Sequence, residues 1–233
     1  MGAYAGKAIT TGDNNIAIGH NALVASVAGS NNIAIGQHAL YAFANASGNT
    51  NIALGHYSMD SANDNMVGNI AIGYSAYNTA NASGADGNVI IGHYAAQGMT
   101  TGNHCIGIGR GVLYAAVEAD AVVAIGYNAG ASAMTSDADG SVFIGSHAGY
   151  AMTSGIGNVA IGKSALDLED TGDFNVAVGY EALTAQNVDG AVGNTAVGYQ
   201  AGITVTTAVQ NTAIGCNAMS QHTTGGNNIA IGY

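Results

Sequence analysis

Seven histidines, twelve tyrosines and fourteen acidic residues are the side chains of this 233-residue chain with chemistry to offer, against three cations, Lys7, Arg110 and Lys163. His20, His56 and His93 each directly follow a glycine, and His38 and His147 stand two residues after one. Imidazoles gathered around a shared axis bind Zn or Fe. There is no His-x-His pair, however, and His20 and His56 are two repeats apart, about 10 Å at strand spacing. A polar surface or ladder role is expected for them, with no metal. Tyr74, Tyr127, Tyr180, Tyr199 and Tyr233 share the place after the glycine, with Tyr57 and Tyr94 one residue further on. Such a row stacks on sugar rings or on itself, since tyrosine has an apolar face and a polar tip. Self-stacking is the expected role, and Tyr74, Tyr127, Tyr180 and Tyr199 are the candidate surface contacts.

The acidic residues gather in loops: Asp137 with Asp139, and Asp167, Glu169, Asp170 and Asp173. Calcium favours oxygen-rich loops, yet the glycine-rich nonapeptide of calcium-binding β-rolls is absent. Glycoside cleavage needs two carboxylates about 5 to 10 Å apart in a cleft. Asp167 and Asp170 have the spacing, but a uniform solenoid has no cleft, so solvated charge is expected. Cys105 and Cys216 lie more than six repeats apart, about 30 Å at strand spacing, too far for a bridge. No Gly-x-Ser-x-Gly elbow and no phosphate loop closed by Lys occurs. The expectation is a protein without catalytic residues or cofactor.

Composition narrows the class further. A net charge of −11 with three cations leaves little to neutralise phosphates, which argues against nucleic acid. At 48% apolar the chain is too hydrophobic for acidic disorder. It has no Pro and no glycine at every third position, so it is not collagen. No run of 18 apolar residues could span a membrane as a helix. The opening MGAYAGKAIT lacks the basic start and apolar run of a secretory signal.

What must position these residues is a repeat that covers the whole chain. Its unit, seen as NIAIG, NVAVG and NTAVG, closes on glycines from Gly2 to Gly232 at steps of 17 to 19 residues. Periods this short indicate a solenoid. Super-repeats of three coils run over 73–126, 126–179 and 179–232, each with one longer loop bearing Asp86-Gly87, Asp139-Gly140 or Asp189-Gly190, pairs suited to tight turns. Both termini fall at the same phase without a capping coil, which reads as a piece of a longer fibre or a unit that stacks end to end.

Alternation within the five-residue stretch is the signature of a strand. Counting from the closing glycine, positions −3 and −1 are Ile, Val, Leu or Thr in all thirteen coils, as in Ile16 and Ile18. These are expected to fill the interior. Position −2 is Ala in ten coils, the exceptions being Ile90, Gly107 and Phe143, and is expected to face a strand of another chain. Position −4 is Asn in ten coils: Asn15, Asn32, Asn51, Asn69, Asn88, Asn158, Asn175, Asn194, Asn211 and Asn228. Stacked amides form a hydrogen-bonded ladder, here interrupted at Cys105, Val122 and Ser141. Ala at +3 followed by Leu, Met or Gly at +4 begins a second strand or side of the coil. The fold expected is all-β, a parallel β-solenoid (β-roll) of about thirteen 17–19-residue coils. A coil this thin buries little, so three chains wrapped as a homotrimer are expected to supply the rest.

NTAVGYQAG at 194–202, NVAVGYEAL at 175–183 and NTAIGCNAM at 211–219 resemble the NTAVGYQAL-type repeats of viral and phage tail-fibre proteins. They are also similar to the YadA-like head repeats of trimeric autotransporter adhesins. The resemblance implies a trimeric, left-handed β-roll in an extracellular attachment fibre, on a virion or a cell surface. The reading is a structural shaft holding a receptor-binding tip. The alternative is an adhesin module gripping a cell-surface glycan or receptor through the Tyr/His row or the Asp-Gly loops.

Overall fold

The computed structural model describes residues 2–26, 28–42, 49–61, 66–79, 85–135 and 138–233; Asp137 lies outside them. The chain is all-β among these residues, with no α-helix and so none long and apolar enough to cross a membrane. It has two compact units, 1–118 and 119–233.

The first unit stacks β1 (Ile16–Ile18), β2 (Ile33–Ile35), β3 (Ile52–Leu54), β4 (Ile70–Ile72), β5 (Val89–Ile91) and β6 (Ile106–Ile108) in chain order. Every pairing is parallel and in repeat register, so that Ile16 opposes Ile33, and Ile33 opposes Ile52. The second unit stacks β7 (Val123–Ile125), β8 (Val142–Ile144), β9 (Val159–Ile161), β11 (Val176–Val178), β13 (Thr195–Val197), β14 (Thr212–Ile214) and β15 (Ile229–Ile231) in the same way. A two-residue pair beside it, β10 (Gly172–Asp173) with β12 (Gly190–Ala191), is also parallel. The architecture is a parallel β-solenoid with one three-residue rung per repeat. Its thirteen rungs bound about twelve turns. After each rung, +3 and +4 enter a turn rather than a second strand, and +4 takes left-handed backbone angles, as at Leu23 (φ 51) and Leu166 (φ 54).

The faces of the rung are the reverse of the sequence expectation. Position −2 points inward: Ala34, Ala53, Ala71, Ala124, Ala160, Ala177 and Ala196 are fully buried. Positions −3 and −1 point outward and are half-buried or exposed, with Ile16 at 46% and Ile18 at 48%. Both faces are apolar in sequence, so period-two alternation alone does not say which one is inside. Interior volume decides it. The +4 side chains Leu23, Leu40, Met59, Leu113 and Leu166 and the far-wall Met66, Met99, Met134 and Met152 are all fully buried, which leaves room for a methyl from the strand. The exceptions at −2 follow the same rule. Phe143 fits because +4 of its coil is Gly149, where an added Cβ would lie 2.2 Å from the ring. Gly107 leaves space that Ile90 of the preceding rung fills; a Cβ there would meet Ile90 Cδ1 at 3.1 Å. Large and small residues thus alternate to hold packing density constant.

The Asn ladder also lies inside. Asn32, Asn51, Asn69, Asn88, Asn158 and Asn175 are fully buried. Each Oδ1 accepts the backbone N–H of the −4 residue one rung on, at 2.9 Å from Asn32 to Asn15 and 2.8 Å from Asn211 to Asn194. Each Nδ2 can reach across the coil to a carbonyl of the next far wall, as Asn88 does to Gly102 O at 2.7 Å. The amide therefore pins strand to far wall, which an apolar side chain could not do without leaving buried polar groups unpaired. Two of the expected interruptions differ from expectation. The Cys105 N–H still donates to Asn88 Oδ1 at 2.8 Å, and Ser141 continues the ladder with its hydroxyl, which accepts the Asn158 N–H at 3.1 Å.

One buried carboxylate extends this interior network. Glu169 is fully buried; its Oε1 accepts N–H groups from Gly172 at 2.7 Å, Thr171 at 3.3 Å and Val188 at 3.4 Å, and its Oε2 accepts Gln186 Nε2 at 2.8 Å. It ties Thr171 and Gly172 of its own turn to Gln186 and Val188 of the next coil's longer loop, beside β10 and β12. A glutamine here would turn a donor toward donors. Glu169→Gln is expected to cost about 2 to 3 kcal/mol, read as a lowered urea midpoint, with the loss concentrated in amide protection of 169–191.

Candidate functional site

Each rung ends at a glycine whose φ lies between 128 and 145°, as at Gly215 and Gly92. The chain swings outward there, so +1 emerges at the corner that borders the outward face. Position +2 follows in left-handed backbone, for example His38 (φ 59), Tyr57 (φ 58) and Tyr94 (φ 56).

In the first unit this corner carries one continuous file of rings. Tyr4 touches His20 with centroids 6.1 Å apart, His20 touches His38 at 6.1 Å, and His38 touches Tyr57 at 5.2 Å. His56 stacks on Tyr57 at 3.9 Å and meets Tyr74 edge-on at 5.4 Å. Tyr74 then reaches His93 at 5.2 Å and Tyr94 at 5.4 Å. The second unit has two shorter groups. Tyr127, His147 and Tyr150 form one, with centroid spacings of 5.2 and 5.3 Å. Tyr180 and Tyr199 form the other, parallel within 8° at 5.4 Å. The four tyrosines singled out from sequence, Tyr74, Tyr127, Tyr180 and Tyr199, are all exposed. Of these, the structure brings Tyr180 and Tyr199 together; Tyr74 belongs to the first-unit file and Tyr127 to the His147 group.

Polar groups frame the Tyr180–Tyr199 pair. Lys163 Nζ lies 5.5 Å from the Tyr180 ring centre, a cation–π distance. Gln200 Nε2 donates to Glu181 Oε2 at 2.7 Å. That amide bond, and then the Tyr180 hydroxyl, hold the Glu181 carboxyl below its ordinary range, and the same carboxylate holds the Tyr180 hydroxyl above its own. Tyr180 is exposed and Glu181 half-buried at the surface, so these interactions orient side chains and contribute little to stability.

His38 Nδ1 lies 3.4 Å from Asp60 Oδ1, an oxygen without a hydrogen bond among the described residues. Burial raises the Asp60 carboxyl above 3.8, opposed by the His38 and, more weakly, the His56 imidazole. A raised folded pKa means that the folded chain holds the proton more tightly, so stability at this site is full below the unfolded value and is lost as pH rises through the folded one. Relative to Asp60→Asn, the wild type is therefore expected to gain unfolding midpoint as pH falls from neutral toward 4, and a flat difference across that range would contradict the burial.

Among the described residues no group of three or more His, Cys, Asp or Glu is placed to hold a metal. Cys105 is buried and Cys216 exposed, and no disulfide joins them. Of the acidic loop group, Glu169 is bonded to backbone as above and Asp173 Oδ1 accepts the Ile156 N–H at 2.8 Å.

That last contact belongs to a pattern the sequence reading missed. At position −6 a side-chain oxygen accepts the backbone N–H of the −6 residue one rung earlier: Asn49 from Ser30 at 2.8 Å, Asp86 from Val67 at 2.7 Å, Asn103 from Asp86 at 2.8 Å and Asp139 from Asp120 at 3.0 Å. This second ladder runs backward along the chain, opposite to the inner Asn ladder. Its signal was available, because −6 is Asp, Asn or Ser in eight coils.

Between the two corners lies the outward strand face. In the first unit it presents Ile16, Ile18, Ile35, Ile106 and Ile108 as exposed side chains, and in the second Ile214, Ile229 and Ile231. No family model matches the chain, and neither does any curated protein or solved structure.

Proposed function

We propose that the chain is a structural, non-catalytic segment of an extracellular attachment fibre, on a virion or a cell surface, assembled as a homotrimer. The observation that carries this reading is the outward face: two rows of Ile, Val, Leu and Thr on every rung, left half-buried or exposed by a single chain. Contiguous apolar surface of this kind marks an interaction site, and a flat strand face with unshielded Ile is an association hazard unless another surface covers it. Three copies turning these faces to a common axis bury the outward rows that a single chain leaves uncovered. The mechanical role follows from the rungs, whose parallel pairing repeats in register and keeps a binding tip away from its anchor. Light scattering tests the assembly: a particle near three times 22.9 kDa supports it, and a stable particle of 22.9 kDa contradicts it.

The parallel Tyr180 and Tyr199 rings, with Glu181, Gln200 and Lys163 beside them, favour a second reading as a glycan-binding module, since such a pair offers stacking faces ringed by hydrogen-bonding groups. A glycan array with wild type and Tyr180→Ala/Tyr199→Ala separates the two. Sugar binding lost in the variant supports the module; no binding supports the shaft.

A further inference from the structure

The outward face has two unlike edges. Along the +1 edge stand His20, His56, His93, Arg110 and Lys163, with tyrosines between them and no Asp or Glu at that position in any coil. Along the −6 edge stand Asp13, Asp86, Asp120, Asp139 and Asp173, with Asn49, Asn103 and uncharged residues at the other coils and no Lys, Arg or His in any coil. At position +1 one edge offers imidazole, phenol, guanidinium and ammonium donors, with the Glu181 carboxylate one residue on beside Tyr180 and Lys163; the other edge accepts through carboxylate and carboxamide. The acceptors are held in place. Asp86 and Asp173 each receive a backbone N–H at 2.7 and 2.8 Å, and a carboxylate has capacity for further bonds.

We propose that these edges are a subunit seam, in which the +1 edge of one chain packs along the −6 edge of the next copy, so that all chains of the assembly run in the same direction. This rests on the outward face being the subunit contact. Symmetry gives the reason. Rotating a copy about an axis parallel to the stacking direction brings its −6 edge against the +1 edge of its neighbour. Turning a copy end over end about an axis along the strands instead sets Asp against Asp and cation against cation. A chain of net charge −11 repels its copies, and complementary edges offset that repulsion in one orientation and add to it in the other. The ring file then closes the seam and is not a platform open to receptor.

Cross-linking tests the seam. In a Cys216→Ser background, which removes the exposed thiol, Ile156→Cys places a thiol on the −6 edge and Tyr180→Cys one on the +1 edge, both at exposed positions. Within one chain the two edges are separated by the rung itself, four steps of extended backbone or roughly 13 Å. A bis-maleimide spanning about one rung, on the order of 5 Å, is shorter than that and joins these positions only between copies. Solution mass is measured first. The seam predicts covalent dimers and trimers from the double variant and none from either single variant. A particle of trimer mass that yields no covalent product, or one in which a single variant cross-links as readily as the double, overturns the seam and leaves the trimer standing. A monomer overturns both. Sugar binding by the assembled wild type that Tyr180→Ala abolishes also overturns the seam, because the ring edge would then be open.

Discussion

Gly126→Ala is expected to lower stability by about 4 kcal/mol. Two costs combine. The backbone at Gly126 has φ +135, where an L-side chain is strained by about 1 to 3 kcal/mol. An ideal Cβ there would lie 2.5 Å from the Gly145 carbonyl oxygen and 2.7 Å from its carbon, and such overpacking costs a further 1 to 3 kcal/mol or so. Neither atom can move away, because Gly145 N–H is bonded to Ile125 O at 2.8 Å and the whole rung is locked in register. Gly193 supplies the control. It also has positive φ, at 61, but nothing lies within 4 Å of its Cβ, so Gly193→Ala is expected to cost only about 1 kcal/mol. Urea unfolding of the two variants separates close approach from backbone strain. Equal losses would mean that the rungs are not in contact at the glycine file.

Asn194→Ala is expected to cost about 4 kcal/mol as well, for a different reason. Asn194 is almost wholly buried and serves four groups. Its Nδ2 donates to Ala208 O at 2.6 Å and to Gln186 Oε1 at 2.8 Å, while its Oδ1 accepts the Asn211 N–H at 2.8 Å and Asn211 Nδ2 at 3.3 Å. Truncation leaves a carbonyl, an amide oxygen and an N–H unpaired inside the coil, at about 1 to 3 kcal/mol each before relaxation. It also loosens Gln186, whose amide holds Glu169. Asn228→Ala, at an exposed position on the last rung, is expected to cost about 1 kcal/mol or less. If the two variants unfold at the same denaturant concentration, the amide ladder does not bind strand to far wall.

The rungs themselves were legible from sequence because glycine and asparagine recur at fixed phase: all thirteen expected strands, such as Ile52–Leu54 and Val176–Val178, form where the repeat puts them and pair in its register. Which face points inward was not legible. Ile flanks an Ala on one strand, and hydrophobicity alone sends the larger side chains to the core; the coil's narrow interior, already occupied by Leu23 or Leu166 from the turn, reverses the choice. Asn at −4 carries the missing clue, since it shares the Ala face and is fully bonded inside. The ring file was legible as a row, because His20, His56 and Tyr74 share a phase, but its continuity depended on the +2 rings His38, Tyr57 and Tyr94 turned toward it by left-handed backbone. The −6 ladder stayed hidden because Asp86 and Asp139 read as turn residues beside glycine, a role they also fill.

Inward Ala and outward Ile are the assignment on which the fibre reading stands, and paired substitutions on one stretch of sheet test it most directly. Ala160→Lys puts a charge into the coil beside Ala177 and is expected to unfold the second unit. Ile144→Lys, Ile161→Glu and Val178→Lys together place alternating charges on the neighbouring outward row. These three are expected to leave strand circular dichroism intact while the light-scattering mass falls from near three times 22.9 kDa to 22.9 kDa. A folded, fully assembled Ala160→Lys protein, or an outward triple variant that unfolds outright, would contradict the assignment.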